Sequence, residues 1–136
     1  MPNESTPYVE PTRRQIEELI GSEGTGPVVM LNLLKFRDRT ADGTMSGREA
    51  YAKYGAGVLP MLAAVGGRLL WQGSPDSVVI GPDTDRWDLV LLVEYPSRAK
   101  FLEMVTNPGY TAVGVHRTAA LADSRLVACT AVNPAG

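Results

Sequence analysis

The stretch Val28 to Phe36, VVMLNLLKF, is apolar on both of the faces that a strand presents. Successive strand side chains point to opposite sides, so a sheet with one wet face shows alternating polarity, and this run shows almost none. Trp87 to Tyr95, WDLVLLVEY, has the same character near its centre. Such strands need cover on both sides. Helices of the same chain can supply one layer. A chain of 136 residues has room for one domain and little more, so a second subunit is the expected source of the other layer.

The remaining elements follow from periodicity and punctuation. Residues 1–10 read as a polar arm, and Pro11 to Ile20 as a short helix with Pro11 in its first turn and Gly21 as its stop. After the first strand and a polar loop, Arg37 to Ser46, the residues Tyr51, Tyr54, Val58, Met61 and Val65 form one apolar helical stripe within Gly47 to Val65. Pro60 inside that stripe predicts a kink or a break into two pieces. Arg68 to Gln72 is a short strand, and Ser77 to Ile80 its continuation or a bulged edge. Trp87 to Tyr95 is a long strand. Ser97 caps a helix that Asn107-Pro108-Gly109 interrupts, and Tyr110 to Leu121 resumes it with Tyr110, Val113, Arg117 and Ala120 on one side. Arg125 to Val132 is the last strand. The order is βαββαβ after an extra N-terminal helix. It predicts an α+β domain, a four-stranded antiparallel sheet with both main helices on one face. Residues 1–25 form an arm and short helix, and 26–136 the domain proper.

Composition removes several function classes. Net charge is −2, and the basic residues are scattered rather than clustered, so no nucleic-acid partner is expected. No run of about 18 apolar residues occurs, so no membrane partner is expected either. The polar, proline-bearing N-terminus lacks the apolar core of a secretory signal, and one cysteine, Cys129, cannot form an intrachain disulfide. A cytoplasmic location is the expectation. One histidine and one cysteine cannot make a conventional zinc site. Gly55-Ala56-Gly57 lies in a helix without a phosphate-loop pattern, and no Gly-x-Ser-x-Gly elbow is present. No metal and no cofactor is expected.

Several segments together carry a resemblance. These are NLLKF at Asn32 to Phe36, Tyr-x-x-Tyr-Gly at Tyr51 to Gly55, and GGRLLWQG at Gly66 to Gly73. The others are EYPS at Glu94 to Ser97 and the Pro-Gly-Tyr…His-Arg helix from Pro108 to Arg117. In this order, over Gly26 to Val132, the chain resembles the small dimeric α/β-barrel proteins of ferredoxin-like fold and unassigned function. Antibiotic-biosynthesis monooxygenases and muconolactone isomerase are their relatives by fold. The resemblance implies a ferredoxin-like fold and a homodimer paired through the sheet. It implies little chemistry, because fold does not fix function. The N-terminal segment and the long Arg37 to Ser46 loop depart from the family pattern, and either could lie over a pocket mouth as a lid.

The candidate chemistry is sparse. Asn32 is the polar exception inside the apolar strand, sharing a face with Met30 and Leu34. It is either a satisfied core amide or a donor that polarises a carbonyl. His116 is the only histidine and the one obvious general base near neutrality, though a lone helix histidine is more often a surface residue. Arg117 adjoins it, and only one of the two can point squarely inward. Arg117 suits a ligand carboxylate, or more simply an ion pair at the surface. Tyr51, Tyr54 and Tyr110, with Trp87, either pack in the core or line an aromatic pocket. The leading expectation is a cofactor-independent enzyme of isomerase, cyclase or oxygenase type acting on an aromatic or enolisable small molecule. Asn32 and His116 would be its catalytic residues, and Tyr51, Tyr54, Trp87, Tyr110 and Arg117 its substrate-binding ones. The resemblance, not the spacing, suggests that substrate class. The alternative is a non-catalytic dimeric binding protein for a small apolar ligand.

Overall fold

β1 (Val28–Phe36) is the spine of the molecule, paired along both edges. The structure is a computed structural model and describes residues 7–22 and 26–132. β3 (Leu89–Tyr95) runs antiparallel on one side of β1 and β4 (Leu121–Cys129) antiparallel on the other, while β2 (Arg68–Gly73) pairs with β3. The four-stranded order is β2-β3-β1-β4. The helices are α1 (Arg13–Gly21), α2 (Gly47–Ala64), α3 (Arg98–Val105) and α4 (Pro108–Ala120). This is the α+β, ferredoxin-like arrangement that the element order predicts.

The parity of β1 sorts its side chains. Val28, Met30 and Leu34 are fully or almost fully buried beneath the helices, in two apolar clusters. The first joins Val28, Met30 and Tyr95 to Leu62, Val65, Phe101 and Met104; the second joins Leu34 and Leu91 to Ala50, Ala120 and Leu121. Leu31 and Leu33, of opposite parity, join neither cluster, nor do their cross-strand partners Leu92, Val90 and Val127. Trp71 lies opposite Leu92 and remains 55% exposed. One face of the sheet is thus roofed by helices, and the other is apolar and open.

α2 and α4 pack closely because glycine permits it. A Cβ on Gly57 would sit 3.0 Å from a Val113 methyl. At the start of α2 the approach is tighter still: a Cβ on Gly47 would meet the carbonyl oxygens of Arg37 and Ala120 at 2.3 and 2.6 Å. Ser46 and Glu49 form a capping box there, each side chain satisfying the other residue's amide.

Five assignments differ from the sequence reading. Pro60 does not divide α2, which runs 18 residues through it; Pro60 is exposed, so the absent amide hydrogen bond lies on the solvent side. Ser77 to Ile80 is not a strand. Val79 and Ile80 are 90% and 95% exposed, and strand-forming residues without a neighbour to pair remain loop. β3 begins at Leu89, leaving Trp87 in the preceding loop. β4 begins directly at Leu121, because Asp123 and Ser124 pair with Lys35 and Leu34 despite their weak strand preference. Pro11 precedes the first helix, whose cap is Thr12 in a capping box with Gln15. The boundary placed between residues 25 and 26 falls at residues outside those described, as does the arm before Pro7.

Candidate functional site

Asn32 divides the two clusters along β1, with Met30 of one on its left and Leu34 of the other on its right. The helices carry a matching polar layer. Tyr51 packs against the second cluster and Tyr110 against the first, and Tyr54 links them. Ring centroids run Phe36–Tyr51 at 5.5 Å, Tyr51–Tyr54 at 5.4 Å and Tyr54–Tyr110 at 6.2 Å, the last pair edge to face. The hydroxyls of Tyr54 and Tyr110 are 2.9 Å apart and share a hydrogen bond. Helical spacing brings these residues together: Tyr51 and Tyr54 lie one turn apart on α2, and Tyr110 enters from the first turn of α4.

Burial dominates the electrostatics. It pushes the Tyr51 hydroxyl up to about 12, with Arg117 acting in the opposite sense. Tyr54 is raised further by burial, then by Tyr110 and Tyr51, again against Arg117. Tyr95 is raised by burial first and by the other tyrosines second. These phenols are held as neutral O–H donors. Arg117 is the positive charge that acts on Tyr51 and Tyr54. It is half-buried, and among the described residues it has no carboxylate partner; its Nη1 donates instead to the carbonyl of Val9 at 2.8 Å.

Asn32 is partly satisfied within its own strand: Nδ2 donates to the Met30 carbonyl at 3.2 Å. Its Oδ1 has no partner among the described residues, yet no buried side-chain oxygen or nitrogen there lacks one, so this oxygen still reaches solvent-accessible space. Asn32 therefore offers an acceptor as well as a donor.

Two expected members stand apart. At about 100° per residue, Tyr110 and Arg117 lie roughly 20° apart around α4, whereas His116 lies about 100–120° from both. His116 makes no hydrogen bond or ion pair among the described residues, so the structure does not bring it to the tyrosines. Trp87 is elsewhere too. Its ring stacks on the Arg125 guanidinium at 5.1 Å, and its Nε1 donates to Asp85 at 3.1 Å. Arg125 lies opposite Leu33 and so shares the open face of the sheet. Trp87 therefore does not join Tyr51, Tyr54 and Tyr110. Two open clefts, of about 230 and 290 Å³, lie between α2 and α3 and beside Phe36, Arg48 and Asp88; neither is lined by Asn32, Arg117 or these four aromatics.

Five residues escaped the sequence reading. Val9 meets Arg117 across 108 residues of sequence, Asp123 and Ser124 hold Tyr8 across 115 and 116, and Tyr95 joins the tyrosine group from β3. The Arg37 to Ser46 loop is closed upon itself: the Thr40 hydroxyl, then the Thr44 amide and hydroxyl, donate to Asp42 and pull its carboxyl down to about 2. Glu94 pairs with Arg68 at 3.0 Å. Among the described residues no three His, Cys, Asp or Glu side chains converge as a metal site, and no helix is long and apolar enough to cross a membrane.

The RPA0582 protein of unknown function from Rhodopseudomonas palustris is similar at 39% identity. The match covers 95% of this chain and 100% of that one, with TM-score 0.91. A dimeric protein of unknown function and ferredoxin-like fold from Bacteroides fragilis superposes at TM-score 0.51 and 16% identity, over 76% of this chain and 95% of its own. The hydroxynitrile lyase of Passiflora edulis does so at TM-score 0.57 and 11% identity, over 82% and 97%. At such identities the likeness is one of fold. No curated protein matches the sequence. Residues 40–131 match the family described as domain of unknown function DUF1330, and with two thirds of its length inside that match the chain belongs to the DUF1330 family.

Proposed function

We propose that this chain works as a homodimer paired through the open sheet face, and that each protomer binds a small carbonyl- or carboxylate-bearing aromatic compound between sheet and helices. There it would promote cofactor-independent chemistry at an enolisable centre: isomerisation, cyclisation or oxygenation. The observation that carries this reading is the Tyr54–Tyr110 hydroxyl pair beside the Arg117 charge, with the Tyr54 phenol raised by burial. One phenol donates to the other and so strengthens the second O–H as a donor. Aimed at a ligand carbonyl, that O–H and the guanidinium stabilise negative charge as it develops on oxygen. Asn32 contributes its free Oδ1 and remaining N–H to orient the ligand. Apolar Leu31, Leu33, Val90 and Leu92 on the open face support the dimer, as does the dimeric state named for the Bacteroides fragilis neighbour.

A second reading, non-catalytic binding in the same site, is supported by helical spacing, which sets His116 about 100–120° around α4 from Tyr110 and Arg117. Calorimetric titration with aromatic acids and ketones, followed by a search for turnover, separates the two. Tyr54→Phe, Tyr110→Phe and Arg117→Met should each weaken binding about tenfold or more. Undiminished binding by all three would place the ligand elsewhere. Turnover that is lost in His116→Ala would return the proton-transfer role to that residue.

A further inference from the structure

The N-terminal arm is fastened where the candidate site ends. Asp123 Oδ1 accepts the Tyr8 amide at 2.8 Å, and the buried Ser124 hydroxyl donates to the Tyr8 carbonyl at 2.6 Å. Arg117 Nη1 donates to the Val9 carbonyl at 2.8 Å, and the Thr118 hydroxyl to the Glu10 carboxylate. The Val9 side chain packs against the second apolar cluster. The Tyr8 ring lies 4.9 Å from the Arg125 guanidinium, which also faces Trp87. All four hydrogen bonds tie the arm to the end of α4 or the start of β4.

One of the fasteners belongs to the site itself. Arg117 spends a charged donor on a neutral carbonyl, while its field reaches the Tyr51 and Tyr54 hydroxyls. A ligand carboxylate is a stronger partner for guanidinium, because the bond is charge-assisted at both ends and can be bidentate. The other anchors of the arm, on Asp123, Ser124 and Thr118, have no part in the tyrosine layer.

The geometry points to residues Tyr8 to Glu10 as a strap that closes the site in the free protein, with Arg117 as its latch: a carboxylate entering beside Tyr54 and Tyr110 takes the guanidinium from Val9 and loosens the strap. This rests on the proposed carboxylate-binding role of Arg117. By linkage, whatever loosens the strap without touching Arg117 must favour the carboxylate.

The test is amide hydrogen exchange over the peptide containing residues 8–11, with benzoate as probe and benzamide as its neutral counterpart. In Arg117→Met without any ligand, exchange there should rise about tenfold over wild type; unchanged exchange overturns the latch whatever binds. In wild type, benzoate should accelerate the same amides and benzamide should not. Ser124→Ala, which frees the Tyr8 carbonyl but leaves Arg117 intact, should bind benzoate about fivefold more tightly, a coupling of ordinary size. Benzoate that binds while the strap's exchange stays the same or slows overturns the strap and leaves the site standing. Failure of benzoate to bind wild type and Ser124→Ala alike overturns the carboxylate reading, and the strap's response to ligand with it.

Discussion

Buried phenols set the character of the site residue by residue. Tyr51, Tyr54 and Tyr95 all have hydroxyls raised above the ordinary value of 10, in each case chiefly by burial. Their neutral forms are what the fold accommodates, so the stability they contribute is complete below about pH 10 and is lost as pH rises toward and through the folded values. In an alkaline titration followed by tyrosinate absorbance, these three should stay silent until the protein unfolds, and then ionise together; smooth titration of all five tyrosines in the native state would show the layer to be open. Asp123 carries the opposite sign. Burial works to raise it, but the Tyr8 amide, the Arg125 side chain and the Ser124 amide together hold it below 3.8. Its contribution is therefore full above about pH 4 and is lost as pH falls through the lowered value. Asp123→Asn should flatten the acid limb of a stability–pH curve and cost about 1 kcal/mol at neutrality in urea melts. Tyr51, Tyr54, Tyr110 and Arg117 were legible as a group because helical spacing places them on two facing stripes. Val9, Asp123 and Ser124 were not, because nothing local in a sequence links residues more than a hundred positions apart. Trp87 was assigned to the pocket by its chemistry alone, and the strand start at Leu89 puts it beyond reach.

α2 shows how elements decide between local preference and packing. Its start is signalled by Ser46 and Glu49, a capping box that the sequence displays but that the helix assignment did not use. Gly47 follows the cap, and any side chain there would collide with the backbone of Arg37 and Ala120, atoms that cannot swing aside. Gly47→Ala should destabilise by about 3 kcal/mol or more, measured by chemical denaturation. Pro60 carries the reverse expectation. The helix passes through it unbroken at the cost of one hydrogen bond, so Pro60→Ala should restore that bond and stabilise by about 1 kcal/mol; a loss of stability would mean that the proline packs against something the isolated chain does not contain. The element order itself was readable because β1 and β3 are unbroken apolar runs of strand length bounded by turn residues, while the 3.6 period marks α2 and α4. Ends were less readable. Ser77 to Ile80 has strand chemistry without a partner strand, and Leu121 to Ser124 has turn chemistry with one, so pairing outweighed propensity in both places.

At the scale of the molecule, the open sheet face is the feature that demands explanation. Leu31, Leu33, Val90, Leu92, Val127 and Trp71 share it by register, and none belongs to either cluster under the helices. A contiguous apolar surface of this kind on a small domain marks an interface. Pairing with a second copy about a two-fold axis buries the same patch on both protomers, so any change there is felt twice. Leu92 lies near the centre of the face, between Leu31 and Trp71, and its side chain supports no helix packing. Leu92→Arg should therefore leave the helical circular-dichroism signal of the protomer intact while placing two like charges at the heart of the interface, which costs several kcal/mol of association. Sedimentation at about 10 μM should show wild type as a dimer and the variant as a monomer, since a loss of about 4 kcal/mol weakens association roughly a thousandfold. A variant that still sediments as a dimer would move the interface to the edge strands β2 and β4. The exposed Leu69 and Leu70 beside Trp71 would then be the next positions to charge.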